Sequence, residues 1–215
     1  MKITEIFKSI DGEGKRAGSL VTFIRTYGCP LRCSYCDSMY SVDDSETDTL
    51  DMSVDDIISV VDSFGINKVT VTGGEPLIQP EMKDLLLKLS NLGYDVNVET
   101  SGHIYPDYLN EIDDVWYTVD YKLPLSNMES KMNDELFDHL SQDDVIKFVA
   151  GSFDDLDRMV EVMNEHDFVS EIYISPVFGF EPKNIVNFML ENQLTNCKIQ
   201  LQMHKYIWDP NMRGV

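Results

Sequence analysis

An α/β fold built on a mainly parallel sheet is what this sequence predicts, and three observations carry that expectation. Short β-branched runs alternate with single amphipathic helices along most of the chain. The 215 residues, 43% of them hydrophobic, can bury one sizeable core and contain no linker, so a single domain over 1–215 is expected. The glycine-rich or polar stretches "TGGEP", "ETSG", "DYK" and "ISP" fall at or near strand ends, where α/β folds gather their ligands.

The elements follow in order. "VTFIRTYG" reads as a strand that leads into a cysteine-rich loop. "SVDDIISVVDSFG" puts Val54, Ile57, Ile58, Val61 and Phe64 on one helical face, with Ser53 as cap and Gly65 as terminator. The strand "KVTVTGG" comes next, then the helix "EMKDLLLKLSNLG", with Leu85, Leu86, Leu89 and Leu92 inward and Gly93 at its end. "DVNVETSG" and "VWYTVDYKL" are strands, "ELFDHL" a short helix, and "DVIKFVA" a strand. The helix "DDLDRMVEVMNEH", the strand "EIYISPVF", the helix "NIVNFMLENQL" and a last strand "KIQLQMHKYIW" complete the alternation.

Seventeen Lys plus Arg against 38 Asp plus Glu give a net charge of −21, which argues against nucleic acid as a partner. The opening "MKITEIFKSIDGEG" lacks the apolar core of a signal peptide, and no stretch approaches the length of a membrane span. A cytoplasmic protein without a membrane partner is expected. In that reducing compartment a cysteine cluster points to a metal or catalytic site before it points to disulfides.

Cys29, Cys33 and Cys36 form CxxxCxxC in the loop after "VTFIRTYG". Soft thiolates suit zinc or iron-sulfur chemistry. A structural zinc site needs four protein ligands, and the fourth would have to be Cys197 or one of the four histidines, none of them near the loop. Three ligands on a four-iron cluster instead leave one iron open to a small molecule. A zinc centre with a remote ligand is the alternative.

CxxxCxxC followed by "TGGEP" resembles the radical S-adenosylmethionine (SAM) superfamily across the whole α/β region. The resemblance implies an abbreviated, partial (βα) barrel and a [4Fe-4S] cluster on Cys29, Cys33 and Cys36. It also implies that SAM chelates the open iron through its amino and carboxylate groups. Gly74 and Glu75 would meet SAM: a glycine lets backbone come close, and a carboxylate can accept from an ammonium.

A finer resemblance is to the 7-carboxy-7-deazaguanine synthase family, carried by "EIFKSIDGEGKRAG", "TFIRTYGCPLRCSYCDS", "VTVTGGEP", "ETSG" and "LQMHKYIW". It implies that Ile10, Asp11, Gly12 and Glu13 hold a pterin, that Arg25 forks onto the substrate carboxylate, and that Thr72, Glu99 and His204 line the same pocket. Ser101, Lys122 and Ser175 would join the SAM side. Ser38 matches the position where the family uses a hydroxyl to hold magnesium; many relatives have threonine there, so this chain keeps the oxygen but lacks the methyl that restrains it.

The reaction so implied is a ring contraction of 6-carboxy-5,6,7,8-tetrahydropterin with loss of ammonia, SAM being regenerated. A homodimer and an electron donor such as flavodoxin or ferredoxin are implied as partners. A glycyl-radical-enzyme activase is the nearest alternative; it predicts an open docking surface and no need for Arg25 or His204. A non-catalytic iron-sulfur or zinc module is the alternative of another class, and it predicts a fourth protein ligand.

Overall fold

The computed structural model describes residues 1–43 and 49–215. Its elements are β1 (Lys2–Ile10), β2 (Leu20–Thr26), β3 (Leu50–Asp51), α1 (Val54–Phe64), β4 (Lys68–Gly73), α2 (Met82–Asn91), β5 (Asp95–Thr100), β6 (Val115–Tyr121), α3 (Asp134–Asp138), β7 (Val145–Ala150), α4 (Phe153–Glu165), β8 (Glu171–Pro176), α5 (Pro182–Glu191), β9 (Cys197–Ile199) and α6 (His204–Ile207). They build one nine-stranded sheet in the order β3-β1-β2-β4-β5-β6-β7-β8-β9, with free edges at β3 and β9. From β2 onward each neighbouring pair is parallel; β1 runs antiparallel to both of its partners. The α/β expectation and the unclosed, partial barrel are both met.

Local chemistry explains the helix boundaries. Ser53 accepts from the Asp56 amide while the Asp56 carboxylate accepts from the Ser53 amide, a reciprocal cap at the start of α1, and Gly65 ends it with φ 66°. Ser152 caps α4 by accepting from the Asp155 amide, and α5 begins on Pro182, whose missing N–H costs nothing in a first turn.

The strands alternate between two faces. Val69, Val71, Val96, Val98, Ile146 and Ile174 are fully buried and pack with Ile57, Leu85, Leu86 and Leu156 of the helices, so the hydrophobic core lies between the sheet and its helical layer. The opposite face carries Thr70, Thr72, Asn97, Glu99, Thr118, Asp120 and Lys147, a polar stripe at period two along four adjacent strands. A face of that chemistry needs ligand or water, not helices.

Because β1 is antiparallel, the loop 11–19 that follows it lies at the amino-terminal end of the parallel strands. Arg16 fastens it there: its guanidinium donates to Asp11, to the Val69 carbonyl, to Thr70 Oγ1 and to the Asp95 carbonyl at 2.8–3.0 Å. This loop floors the polar concavity.

Two expectations are corrected. Leu92 does not face inward; it is exposed at the cap of α2, one position past the last helical residue Asn91, while Leu85, Leu86 and Leu89 are buried. The strand expected over 198–208 covers only Cys197–Ile199. The last link to its one neighbour is the Gln200 amide on the Ile174 carbonyl, after which the Met203 amide turns to the Gly12 carbonyl and α6 begins. His204 therefore lies on α6 and not on the last strand. Among the described residues, no helix is long and apolar enough to cross a membrane.

Candidate active site

The carboxyl ends of the strands and the floor loop enclose a cavity of about 1110 Å³. Its wall includes Cys29, Cys33 and Cys36 together with Ile10, Gly12, Glu13, Arg25, Ser38, Thr72, Gly74, Glu99, Ser101, Lys122 and His204. Fourteen of the 17 residues expected at the site thus share one concavity.

The cysteine loop is held by the turn that follows β4. The Gly74 amide donates to the Thr26 carbonyl at 3.1 Å and the Glu75 amide to the Gly28 carbonyl at 2.8 Å. A Cβ on Gly74 would come within 2.3 Å of the Gly28 oxygen and 3.0 Å of Cys29 Cβ. The glycine is thus required by loop packing before it is required by any ligand. On the other side Tyr35 donates to the Val149 carbonyl at 3.4 Å. The three thiols are free and partly exposed to the cavity. Burial pushes Cys29 up to about 11 and raises Cys33 and Cys36 as well, so the thiols are protonated until a metal displaces the proton.

These residues fit a cluster with an open iron. Three soft donors face a cavity that holds room beside them. Among the described residues no three His, Cys, Asp or Glu side chains are gathered tightly enough for a single ion. Cys197, the one remaining thiol, is buried at the other face of the sheet with its sulfur 3.8 Å from that of Met163. The closed zinc site thereby loses its obvious fourth ligand.

Across the cavity, Glu13 accepts from Lys147 Nζ at 3.2 Å and from Ser175 Oγ at 3.1 Å. Burial pushes Glu99 up to about 7; Asp11 and Glu13 add to the rise, and Lys147 opposes it. Arg25 donates through Nε to Glu5 at 2.8 Å, with its guanidinium over the Phe7 and Tyr40 rings, so the Nη pair is the edge that can meet a carboxylate. His204 stands against Gly12, where a Cβ would come within 2.3 Å of the ring nitrogen Nδ1. Burial holds this imidazole below its usual value, against the pull of Glu13 and Asp37.

Three expected residues lie behind the wall. Asp11 is buried against Arg16 and Thr70. Glu75 is fully buried, and its carboxylate accepts from Thr100 Oγ1, the Ser101 amide and hydroxyl, and the Leu77 amide. Ser175 reaches the cavity only through Glu13. Ser38 lines the cavity and donates to Asp37, whose carboxylate Lys205 at 2.8 Å holds down at about 2 despite burial.

Several wall residues had no role assigned from the sequence. Asp120 and Lys147 face the cavity from β6 and β7 as register partners. Tyr40 donates to Glu5 at 3.0 Å and packs under the Arg213 guanidinium at 4.0 Å, and Pro210 to Val215 border the mouth. The "DYK" stretch pointed toward Asp120, and the period-two polar residues of the strands were the available signal for Lys147; whether Pro210 or Val215 reaches the substrate was open in the sequence, and nothing in it marks Tyr40.

The chain was compared with known proteins. The radical SAM superfamily profile matches residues 23–188. The chain is 42% identical to 7-carboxy-7-deazaguanine synthase of Clostridium acetobutylicum, over 100% of this chain and 99% of that protein. It is 37% identical to the protein of the same name from Methanospirillum hungatei, over 98% of this chain and 86% of the other. Among solved structures, QueE from Escherichia coli superposes with a TM-score of 0.75 over 94% of each chain at 22% identity. SuiB from Streptococcus suis, bound to S-adenosylmethionine, superposes with a TM-score of 0.61 over 84% of this chain and 49% of that one, at 15% identity. At those identities the two structures bear on the fold alone.

Proposed function

The chain belongs to the 7-carboxy-7-deazaguanine synthase family of the radical SAM superfamily, and from that premise we propose that it contracts the ring of 6-carboxy-5,6,7,8-tetrahydropterin to 7-carboxy-7-deazaguanine with loss of ammonia. The observation that carries this reading is the shared cavity: the cysteine loop and the set Glu13, Arg25, Glu99 and His204 border one space. At about 1110 Å³ it exceeds a typical single-ligand pocket and suits two ligands side by side.

When bound, the cluster and SAM would supply radical chemistry at substrate C6. The rest is positioning by the protein. Cys29, Cys33 and Cys36 would hold the cluster, and the backbone at Gly74 with the groups of Ser101 and Lys122 would meet SAM; Glu75 acts behind them by fixing Ser101. Glu13 accepts from the guanidine-like edge of the pterin, the Arg25 fork takes the substrate carboxylate, and Thr72 and His204 offer hydrogen bonds to the ring. Such a clamp would hold C6 toward the SAM side of the cavity and keep solvent away from it.

Ser38 offers a single protein oxygen to a magnesium ion, which fills its remaining positions from water and substrate. Flavodoxin or ferredoxin is the proposed electron source, and a homodimer of single-domain subunits acting in the cytoplasm is the proposed form. Anaerobic reconstitution with iron and sulfide, followed by SAM, magnesium, reductant and the pterin, tests the reading by mass spectrometry. Product that disappears in Cys33→Ala supports it. An intact cluster that cleaves SAM without consuming pterin would refute it.

A further inference from the structure

A run of buried charge crosses the cavity from the cysteine loop to the floor loop. Lys122 bears on both Cys33 and Cys36, with Arg32 also acting on Cys36, and the Lys122 ammonium donates to Asp120 Oδ2 at 2.7 Å. Asp120 Oδ1 stands 3.2 Å from Lys147 Nζ, and that same nitrogen donates to Glu13 Oε2 at 3.2 Å. Each inner group is thus shared: Asp120 between two ammonium groups, Lys147 between two carboxylates. Lys147 is only 8% exposed, Lys122 only 9%, and bulk water cannot substitute for a lost partner in so closed a place.

The middle link is the less well aligned one: Asp120 Oδ1 is buried with the Lys147 ammonium 3.2 Å away, the same distance as from that ammonium to Glu13. One ammonium with three donors is therefore shared between two carboxylates, and the share each holds depends on what else that carboxylate faces. An anionic ligand beside Lys122 draws that ammonium from Asp120 and leaves Asp120 to claim Lys147; a donor ligand on Glu13 relieves Glu13 of the same ammonium.

We propose that Lys147 is a positioning residue, and that the line Lys122–Asp120–Lys147–Glu13 couples the SAM subsite to the pterin subsite so that each ligand tightens the other. The proposal rests on the functional reading above, because it takes the two ligands from there. Other charged groups facing Lys147 are Glu99 on β5 and His204 on α6, and neither bridges the two ends.

Titration calorimetry on reconstituted, unreduced enzyme tests this without turnover. SAM is titrated with and without 6-carboxytetrahydropterin, and the pterin with and without SAM. Reciprocal tightening of about 5-fold or more is expected in the wild type. In Lys147→Met it should fall to within about twofold of unity while SAM alone binds within about threefold of wild type; Lys147→Arg should restore most of it. Asp120→Asn breaks the next link and should also abolish the tightening, which decides the matter if Lys147→Met does not fold. Wild type that binds both ligands independently overturns the coupling and leaves the function intact, as does Lys147→Met that keeps the coupling or loses SAM affinity altogether. Wild type that binds SAM but no pterin overturns the functional reading, and the coupling falls with it.

Discussion

Glu99 concentrates the titration behaviour of the site. Its neighbours are Asp11, Glu13 and Lys147, and burial is the largest influence, lifting it from about 4.5 to about 7. A carboxyl with a raised folded-state value holds its proton more tightly when folded, so the stability it contributes is complete below about 4.5 and is lost as pH rises through about 7. Glu99→Gln cannot ionise. Its melting temperature should match wild type near pH 4, exceed it increasingly up to about pH 7 and hold that gap above it, by about 2–4 °C per kcal/mol for a chain of this length. A gap that stays constant with pH would show an ordinary carboxylate. Arg25 has a different dependence, on shape: with Nε on Glu5, its Nη pair is a fork. Arg25→Lys retains the charge and loses the fork, and we expect the pterin KM to rise about 10–100-fold, the range of a charge-assisted pair. An unchanged KM would leave Arg25 as the partner of Glu5 and nothing more. Both residues were legible because they lie in quotable motifs. Lys147 was not, since "VIKFVA" reads as a buried strand in which one charge looks incidental, and Asp120 was placed near the mouth by "DYK" without a role.

At the scale of elements, the cysteine loop is only as well placed as the turn beneath it. Gly74 sits where any Cβ would strike the Gly28 carbonyl, backbone that cannot rotate away. Gly74→Ala should therefore push the loop off its seat at a cost of about 1–3 kcal/mol, and the iron retained after reconstitution should fall below half of wild type. Gly93→Ala is the matched control. It carries a left-handed φ of 81° at the end of α2 with nothing within 4 Å, so it should lower the melting temperature and leave iron content alone. Equal iron loss in both would refute the packing argument. The sequence exposes this asymmetry poorly: "TGGEP" announces a turn but not what packs on it. The same limit explains the last element. Polar and apolar residues alternate through "KIQLQMHKYIW" as in a strand, yet β9 has a neighbour on one side only, and the chain leaves it for the Gly12 carbonyl. By contrast α1 was legible to the residue, because its cap and its stop are local interactions.

The whole molecule is a curved sheet with two unlike faces, and that division decides which cysteines can serve a cluster. Alternation along each strand was legible as strand, and alternation of strands with helices as a parallel sheet. What a linear reading leaves out is that the polar positions of β4, β5, β6 and β7 stack side by side into one surface, since registers are set by pairing across the sheet. Helices cover the other surface and dry it. Cys197 enters β9 on that dry side and packs on Met163 of α4, with burial pushing its thiol up to about 11. A group bound among Cys29, Cys33 and Cys36 lies beyond the sheet from it. Cys197→Ser should therefore leave the iron and sulfide bound per chain unchanged, while Ser in place of any one of the other three removes most of both. The cost of the change should be one of packing: a buried hydroxyl beside a thioether, about 1–3 kcal/mol, read as a lower melting temperature with an unaltered cluster spectrum. Loss of iron from Cys197→Ser at a temperature where the protein remains folded would mean that a fourth thiolate reaches the metal. The open coordination site on which the proposed chemistry depends would then not exist.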